Sequence, residues 1–189
     1  MNCKNWQLRD AQISQKGAKS CSLVIDPQNT KAYLNLGSKE NPLKSPFGAT
    51  SFNDEKATRK TIEFTLNEEQ AKIFKDFDLW AMSYLASNSE RIFKQTKTLE
   101  DIKAIYKSPV SQKADYKPHL RCKINISGSA IVRCWNADGQ KRELPDDLRN
   151  CELVPRIHIS HLWIMAKECG WVLKIEDLRV VEASQECPF

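Results

Sequence analysis

The sequence predicts a mainly β, α+β fold: short strands forming a small barrel or sandwich, interrupted once by helix. Three observations predict it. A period-two alternation of apolar and polar residues recurs at 61–66, 120–126, 130–135 and 171–175, as expected for strands with one buried face. Turn signals such as Asp26-Pro27-Gln28-Asn29 and Asp138-Gly139 separate the runs. Only the stretch 67–107 changes to helical spacing. A chain of 189 residues can bury a real core without disulfides. One domain over 1–189 is therefore expected, with an irregular N-terminal arm (1–20), a helical insertion (67–107) and a C-terminal tail (183–189).

In order, the arm surrounds Trp6 and Leu8, and residues 22–26 and 31–36 read as a hairpin. Residues 37–53 hold Pro42, Pro46, two glycines and several serines, which predicts a long packed loop with Phe47 and Phe52 as anchors. In Thr61-Ile62-Glu63-Phe64-Thr65-Leu66, Ile62, Phe64 and Leu66 face a core. Asn67-Glu68-Glu69-Gln70 then fits a helix start, its acids suiting the helix dipole. Ile73, Phe77, Trp80, Tyr84 and Leu85 follow as a core-facing stripe. Thr98-Leu99-Glu100-Asp101 repeats the capping pattern and starts a short helix that Lys107-Ser108-Pro109 ends. Residues 153–165 are apolar on both faces, which predicts a central strand. A last strand starts at Gly170, with Trp171, Leu173 and Ile175 on one face and 178–181 extending it.

The stretch 116–142 carries the functional signal. It reads as a strand pair. In Leu120-Arg121-Cys122-Lys123-Ile124-Asn125-Ile126, alternation turns Leu120, Cys122, Ile124 and Ile126 inward and leaves Arg121, Lys123 and Asn125 outward. In Ala130-Ile131-Val132-Arg133-Cys134-Trp135 it buries Ala130, Val132 and Cys134 and exposes Arg133 and Trp135. Residues 117–142 contain six Lys or Arg against one acid, a local +5 that equals the formal charge of the whole chain. Cations beside a flat ring suit a nucleic-acid strand, whose phosphates need neutralising and whose bases need a surface to stack on. Arg121, Lys123 and Arg133 are the phosphate candidates and Trp135 the stacking candidate, with Tyr116, Lys117, His119, Lys141 and Arg142 widening the surface. Trp163 and Trp171 sit among dense apolar neighbours and read as core.

Seven cysteines are scattered without a Cys-x-x-Cys pair, so reduced thiols are expected and zinc is not. His158 and His161 read as structural. No segment has the long apolar run of a membrane span, and the N-terminus lacks a secretion signal, so an intracellular location is expected. There is no Gly-rich phosphate loop, nucleophile elbow or His-Glu metal motif, so neither an enzyme nor a cofactor is expected.

The succession Lys107-Ser108-Pro109-Val110, Tyr116-Lys117-Pro118-His119-Leu120-Arg121-Cys122-Lys123-Ile124, residues 157–163, and Cys169-Gly170-Trp171-Val172-Leu173-Lys174-Ile175 resembles the single-stranded-DNA-binding proteins of large DNA viruses. These are relatives of phage replication proteins. The resemblance covers about residues 61–182. It implies an oligonucleotide-binding (OB-fold) barrel that coats single strands during replication, recombination and repair without catalysing a reaction. It also implies that the terminal Pro188-Phe189 docks replication proteins, although only two acids lie in the last eight residues. The residues do not distinguish DNA from RNA, and an exposed barrel edge or the 37–53 loop suits a homodimer. The alternative is a non-enzymatic structural or interaction protein, a virion or scaffold component, binding protein on the same barrel.

Overall fold

The computed structural model describes residues 5–13, 19–51, 56–113, 115–149 and 151–183. Cys3, Phe52, Cys187 and Phe189 lie outside them. In chain order the elements are β1 (Trp6–Leu8), β2 (Gln12–Ile13), β3 (Lys19–Ile25), β4 (Thr30–Lys31), β5 (Tyr33–Asn35), β6 (Leu43–Lys44), β7 (Ala49–Thr50) and β8 (Arg59–Thr65). Three helices follow, α1 (Glu68–Ser87), α2 (Ser89–Phe93) and α3 (Leu99–Ile105). The remainder is strand: β9 (Tyr106–Lys107), β10 (Val110–Ser111), β11 (His119–Asn125), β12 (Arg133–Trp135), β13 (Lys141–Arg142), β14 (Cys151–Ile164) and β15 (Cys169–Ala183). The fold is mainly β. Two compact units divide it, each drawn from three separate stretches of chain.

The first unit falls within Met1–Ala32, Glu68–Val110 and Ile159–Val172. Its β3 is a hub, pairing antiparallel with β1, β2, β4 and the end of β14. The turn over residues 26–29 returns β3 into β4, so the expected hairpin forms at its start. Helix α1 begins after Asn67 with Glu68 and Glu69 in its first turn. Its buried face carries Ala71, Phe74, Phe77, Ala81 and Leu85. Phe74 thus takes the deep position expected of Ile73, which is half-buried. Phe77 centres an aromatic cluster, its ring 5.8 Å from Trp80, 5.4 Å from Trp171 and 6.1 Å from Trp6. Trp171 is core, whereas Trp163 is only half-buried.

Thr98 caps α3 as its sequence predicts: the hydroxyl accepts from Asp101 N at 3.2 Å, and Asp101 accepts from Thr98 N at 2.8 Å. The helix ends at Ile105, before Lys107-Ser108-Pro109, because Tyr106 and Lys107 turn extended and pair in parallel with Cys169 and Gly170. Asp78 of α1 ties this segment down by accepting from Tyr106 Oη and Ser108 Oγ, each at 2.6 Å. Burial pushes the Asp78 carboxyl upward despite these two bonds.

Gly170 sits where two chain segments approach closely. A Cβ there meets the Lys107 carbonyl oxygen at 2.8 Å and Trp163 Cζ2 at 2.9 Å. Lys107 is the register partner of Gly170, so the carbonyl cannot retreat without breaking the ladder. Gly170→Ala is therefore expected to cost about 1–3 kcal/mol, as overpacking does elsewhere. Thermal denaturation checks it; an unchanged melting temperature contradicts the close approach.

The second unit falls within Tyr33–Asn67, Ser111–His158 and Leu173–Phe189. Its ladders run from β14 through β6 and β8 to β11, then through β15 to β12 and β13. β11 and β8 pair over seven residues, from His119↔Thr65 to Asn125↔Arg59. Alternation packs Ile62, Phe64, Leu120, Cys122 and Ile124 on one side, all at most 1% exposed. Each of the Ile, Leu and Phe side chains among them contributes about 1.5–3 kcal/mol by leaving water.

Three expectations are corrected here. β11 and β12 are not neighbours: β15 lies between them in the ladder order, parallel to both. Local alternation shows which face a residue takes but not which strand comes alongside, so the pair read from adjacency in the sequence is wrong. Ala130 is exposed, because β12 begins only at Arg133 and the preceding residues form a bend and turn. β14 is not apolar on both faces; over 151–158 it alternates, with Leu153, Pro155 and Ile157 buried and Arg156 exposed. The five cysteines among the described residues are all free and buried.

Candidate nucleic-acid interface

The outward face of the second unit is built by register. Opposed residues in a ladder point to the same side. Arg121 therefore stands beside Glu63, Lys123 beside Thr61 and Asn125 beside Arg59. Lys123 is the parallel partner of Lys174. On β15 the buried positions run Leu173 and Ile175, then Leu178 and Val180, so the alternation slips by one at Glu176-Asp177 and both acids reach the outer side. Arg133 then lies beside Asp177, Trp135 beside Arg179, and Lys141 beside Trp135.

Asp177 organises this end of the face. Its side chain is only 16% exposed, and it accepts from Arg133 Nη2 at 2.7 Å, Trp135 Nε1 at 3.2 Å and Arg156 Nη1 at 3.5 Å. One carboxylate thus fixes two guanidinium groups and the edge of an indole. The bond from Arg133 also holds that guanidinium further above its already high range. Arg156 lies over the Tyr33 ring at 3.9 Å, a close cation–π contact. Tyr33 donates to Glu176 at 2.6 Å, and His158 Nδ1 lies 3.1 Å from the same carboxylate. Arg133, Trp135, Arg156 and Arg179, with Asn35, Val154, Pro155, Gly139 and Asp177, line a cleft of about 580 Å³. In the turn that brings Gly139 to it, Asn136 Oδ1 accepts from Asp138 N and Gln140 N, and Gly139 takes the positive φ of 81° that Asp138-Gly139 predicts.

A second basic group lies along β11. Arg121 pairs with Glu63 at 2.8 Å, an exposed contact of small worth that leaves most of the guanidinium in solvent. Lys123 Nζ donates to Thr61 Oγ1 at 2.7 Å. Burial, then the charges of Arg59 and Arg121, hold its pKa below the ordinary lysine value. A polyanion laid across Lys123 reverses the last two effects. Binding in the window above the lowered pKa must therefore take up a proton, and affinity must fall as pH rises through that window. Lys123→Met is expected to flatten this alkaline decline; an equal decline in the variant contradicts the assignment.

The residues selected from sequence therefore occupy three places. Arg133 and Trp135 line the cleft, with Lys141 opposite Trp135 on β13. Arg121 and Lys123 sit in the β8–β11 row, and Tyr116 and Lys117 are exposed in the segment leading into β11. Arg142 departs from the group, because it opposes buried Cys134 and so lies on the other side of the sheet from Trp135. Sequence reasoning missed Tyr33, Arg156, Lys174 and Arg179. The signal was present for Arg156, as Arg156 and His158 are the polar residues of Val154-Pro155-Arg156-Ile157-His158 and stand two apart, between the apolar Pro155 and Ile157. Among the described residues no cluster of His, Cys, Asp or Glu has the makings of a metal site.

No protein-family model matches the chain. No curated protein matches it either. Solved structures do. Gp2.5, a single-stranded DNA binding protein encoded by bacteriophage T7, aligns with a TM-score of 0.51 at 11% identity, over 82% of this chain and 88% of that one. The single-stranded DNA-binding protein from bacteriophage Enc34, in complex with ssDNA, aligns with a TM-score of 0.47 at 8% identity, over 95% and 94% of the two chains. Without DNA, the Enc34 protein aligns with a TM-score of 0.45 at 9% identity, over 97% and 96%. This chain has the mainly β fold of the T7 protein.

Proposed function

We propose that this chain binds single-stranded DNA, with little sequence preference, on the outward face of its second unit. It coats and protects single strands during replication, recombination or repair, and does no chemistry on them. One observation carries the reading: Trp135 and three arginines share a cleft, with the ring edge and two of the cations held by Asp177. Flat rings take unpaired bases of any identity, and fixed guanidinium groups take the phosphates between them. Direct base readout needs donors and acceptors aimed at base edges, whereas stacking is tolerant of sequence. The likeness to the T7 protein, itself a single-stranded DNA binding protein, supports this assignment and an OB-type Greek-key barrel as its frame. The narrower grouping with the proteins of large DNA viruses rests on the sequence resemblance. Docking of replication proteins by Phe189 and a homodimer belong to the same proposal.

The test is competition. A labelled single strand bound to the protein is expected to be displaced by unlabelled single strand and not by duplex of the same sequence. Equal displacement by duplex contradicts the reading, and RNA as a third competitor reports whether the sugar hydroxyl matters.

A further inference from the structure

Phe47 is 57% exposed, yet the turn that presents it is tightly determined. Ser45, two residues before, is fully buried. Gly48, immediately after, has φ of 62°, and a Cβ on it meets Arg149 Cγ at 3.0 Å and Arg149 N at 3.2 Å. The chain is thus pinned on both sides of Phe47, which leaves the ring outside and overturns its expected role as a loop anchor. Scattered exposed apolar side chains are common and need no purpose. Phe47 differs in what it stands beside. Its ring lies 6.2 Å from that of His119 at an interplanar angle of 31°. The Nδ1 of His119 is buried without a hydrogen-bond partner, so contact through that atom does not set the ring's place.

His119 is on the same face as Arg121 and Lys123, two and four residues along β11. An outward track therefore runs from Phe47 and His119 along Arg121, paired with Glu63, and Lys123, across to Lys174, and along β15 past the acids Glu176 and Asp177 to Arg179 and Trp135. At about 3.3 Å per residue and about 4.8 Å between strands, its contour is roughly 40 Å.

We infer that Phe47, backed by His119, is a second base-stacking platform, at the opposite end of the basic track from Trp135. The inference rests on the proposed single-strand binding and adds a second contact point and a path. The ligand is an unpaired base of the same strand whose phosphates lie along Arg121 and Lys123. Two platforms separated by a basic row make affinity depend on oligonucleotide length, because a short strand reaches one platform and a longer one reaches both. Single-strand binding modules span roughly 4 to 16 nucleotides, a range that accommodates this track.

The experiment titrates wild type, Phe47→Ala, Phe47→Trp and Trp135→Ala with labelled oligothymidines of roughly five and roughly fifteen nucleotides, lengths bracketing that range. Phe47→Ala is expected to weaken the longer strand about tenfold, within the span known for loss of a stacking ring, and to spare the shorter one. Phe47→Trp should restore the longer strand's affinity. Because the side chain is exposed, the melting temperature should not move. If wild type binds, Trp135→Ala weakens it and Phe47→Ala matches wild type at both lengths, the second platform is refuted while the single-strand reading stands. If wild type binds neither oligonucleotide, both fall.

Discussion

Trp135→Ala is expected to weaken single-strand binding by about 1–3 kcal/mol, the usual cost of removing a ring on which a base stacks. The indole is half-buried, its Nε1 is held by Asp177, and its register places it beside Arg179 and Lys141. Trp135→Phe keeps a flat surface but loses the bond to Asp177, so it should recover much of the affinity and not all of it. An intermediate affinity for Phe separates loss of the ring from loss of its fixed orientation. Anisotropy titration at constant salt measures both. Equal affinity of wild type and the Ala variant contradicts a stacking role.

Phe64→Ala acts on the support beneath this face. Phe64 is fully buried, opposes Leu120 across the β8–β11 ladder, and belongs to the apolar side of the sheet whose other side carries Arg121 and Lys123. Truncating a buried Phe costs about 3–5 kcal/mol, combining lost transfer energy with the cavity left behind. That is a large part of the 5–15 kcal/mol typical of a folded domain. Denaturant unfolding is expected to show the loss as a lowered midpoint, with Phe64→Leu much milder. A small effect of the Ala variant contradicts the packing described here.

These two residues also mark how far the sequence can be read. The inward positions Ile62, Phe64, Leu120, Cys122 and Ile124 follow from period two alone, because one face meets apolar core and the other water. The Thr98 capping box and the Asp138-Gly139 turn were equally legible, since each is fixed by side chains within four residues. Pairing is another matter. That β15 separates β11 from β12 depends on contacts more than forty residues apart, as in Arg133↔Asp177. The acids that hold the cations, Glu63 for Arg121 and Asp177 for Arg133, were hidden for the same reason. Tyr33 and Arg156 come together only because β5 pairs with β14. The exposure of Phe47 depends on burial of Ser45 and on the approach of Gly48 to Arg149, which no local pattern announces.

The central claim is that the face carrying Arg133 and Trp135 binds single strands through phosphate and base together. Its most direct measurement is fluorescence anisotropy of a labelled single-stranded oligonucleotide across a salt series, for wild type and for the double variant Arg133→Ala, Trp135→Ala. Tight binding that weakens steeply with salt is expected for wild type, because released counterions drive it, with a shallower slope and much weaker binding for the variant. No binding by wild type at low salt, or equal slopes and affinities for the two proteins, would contradict it.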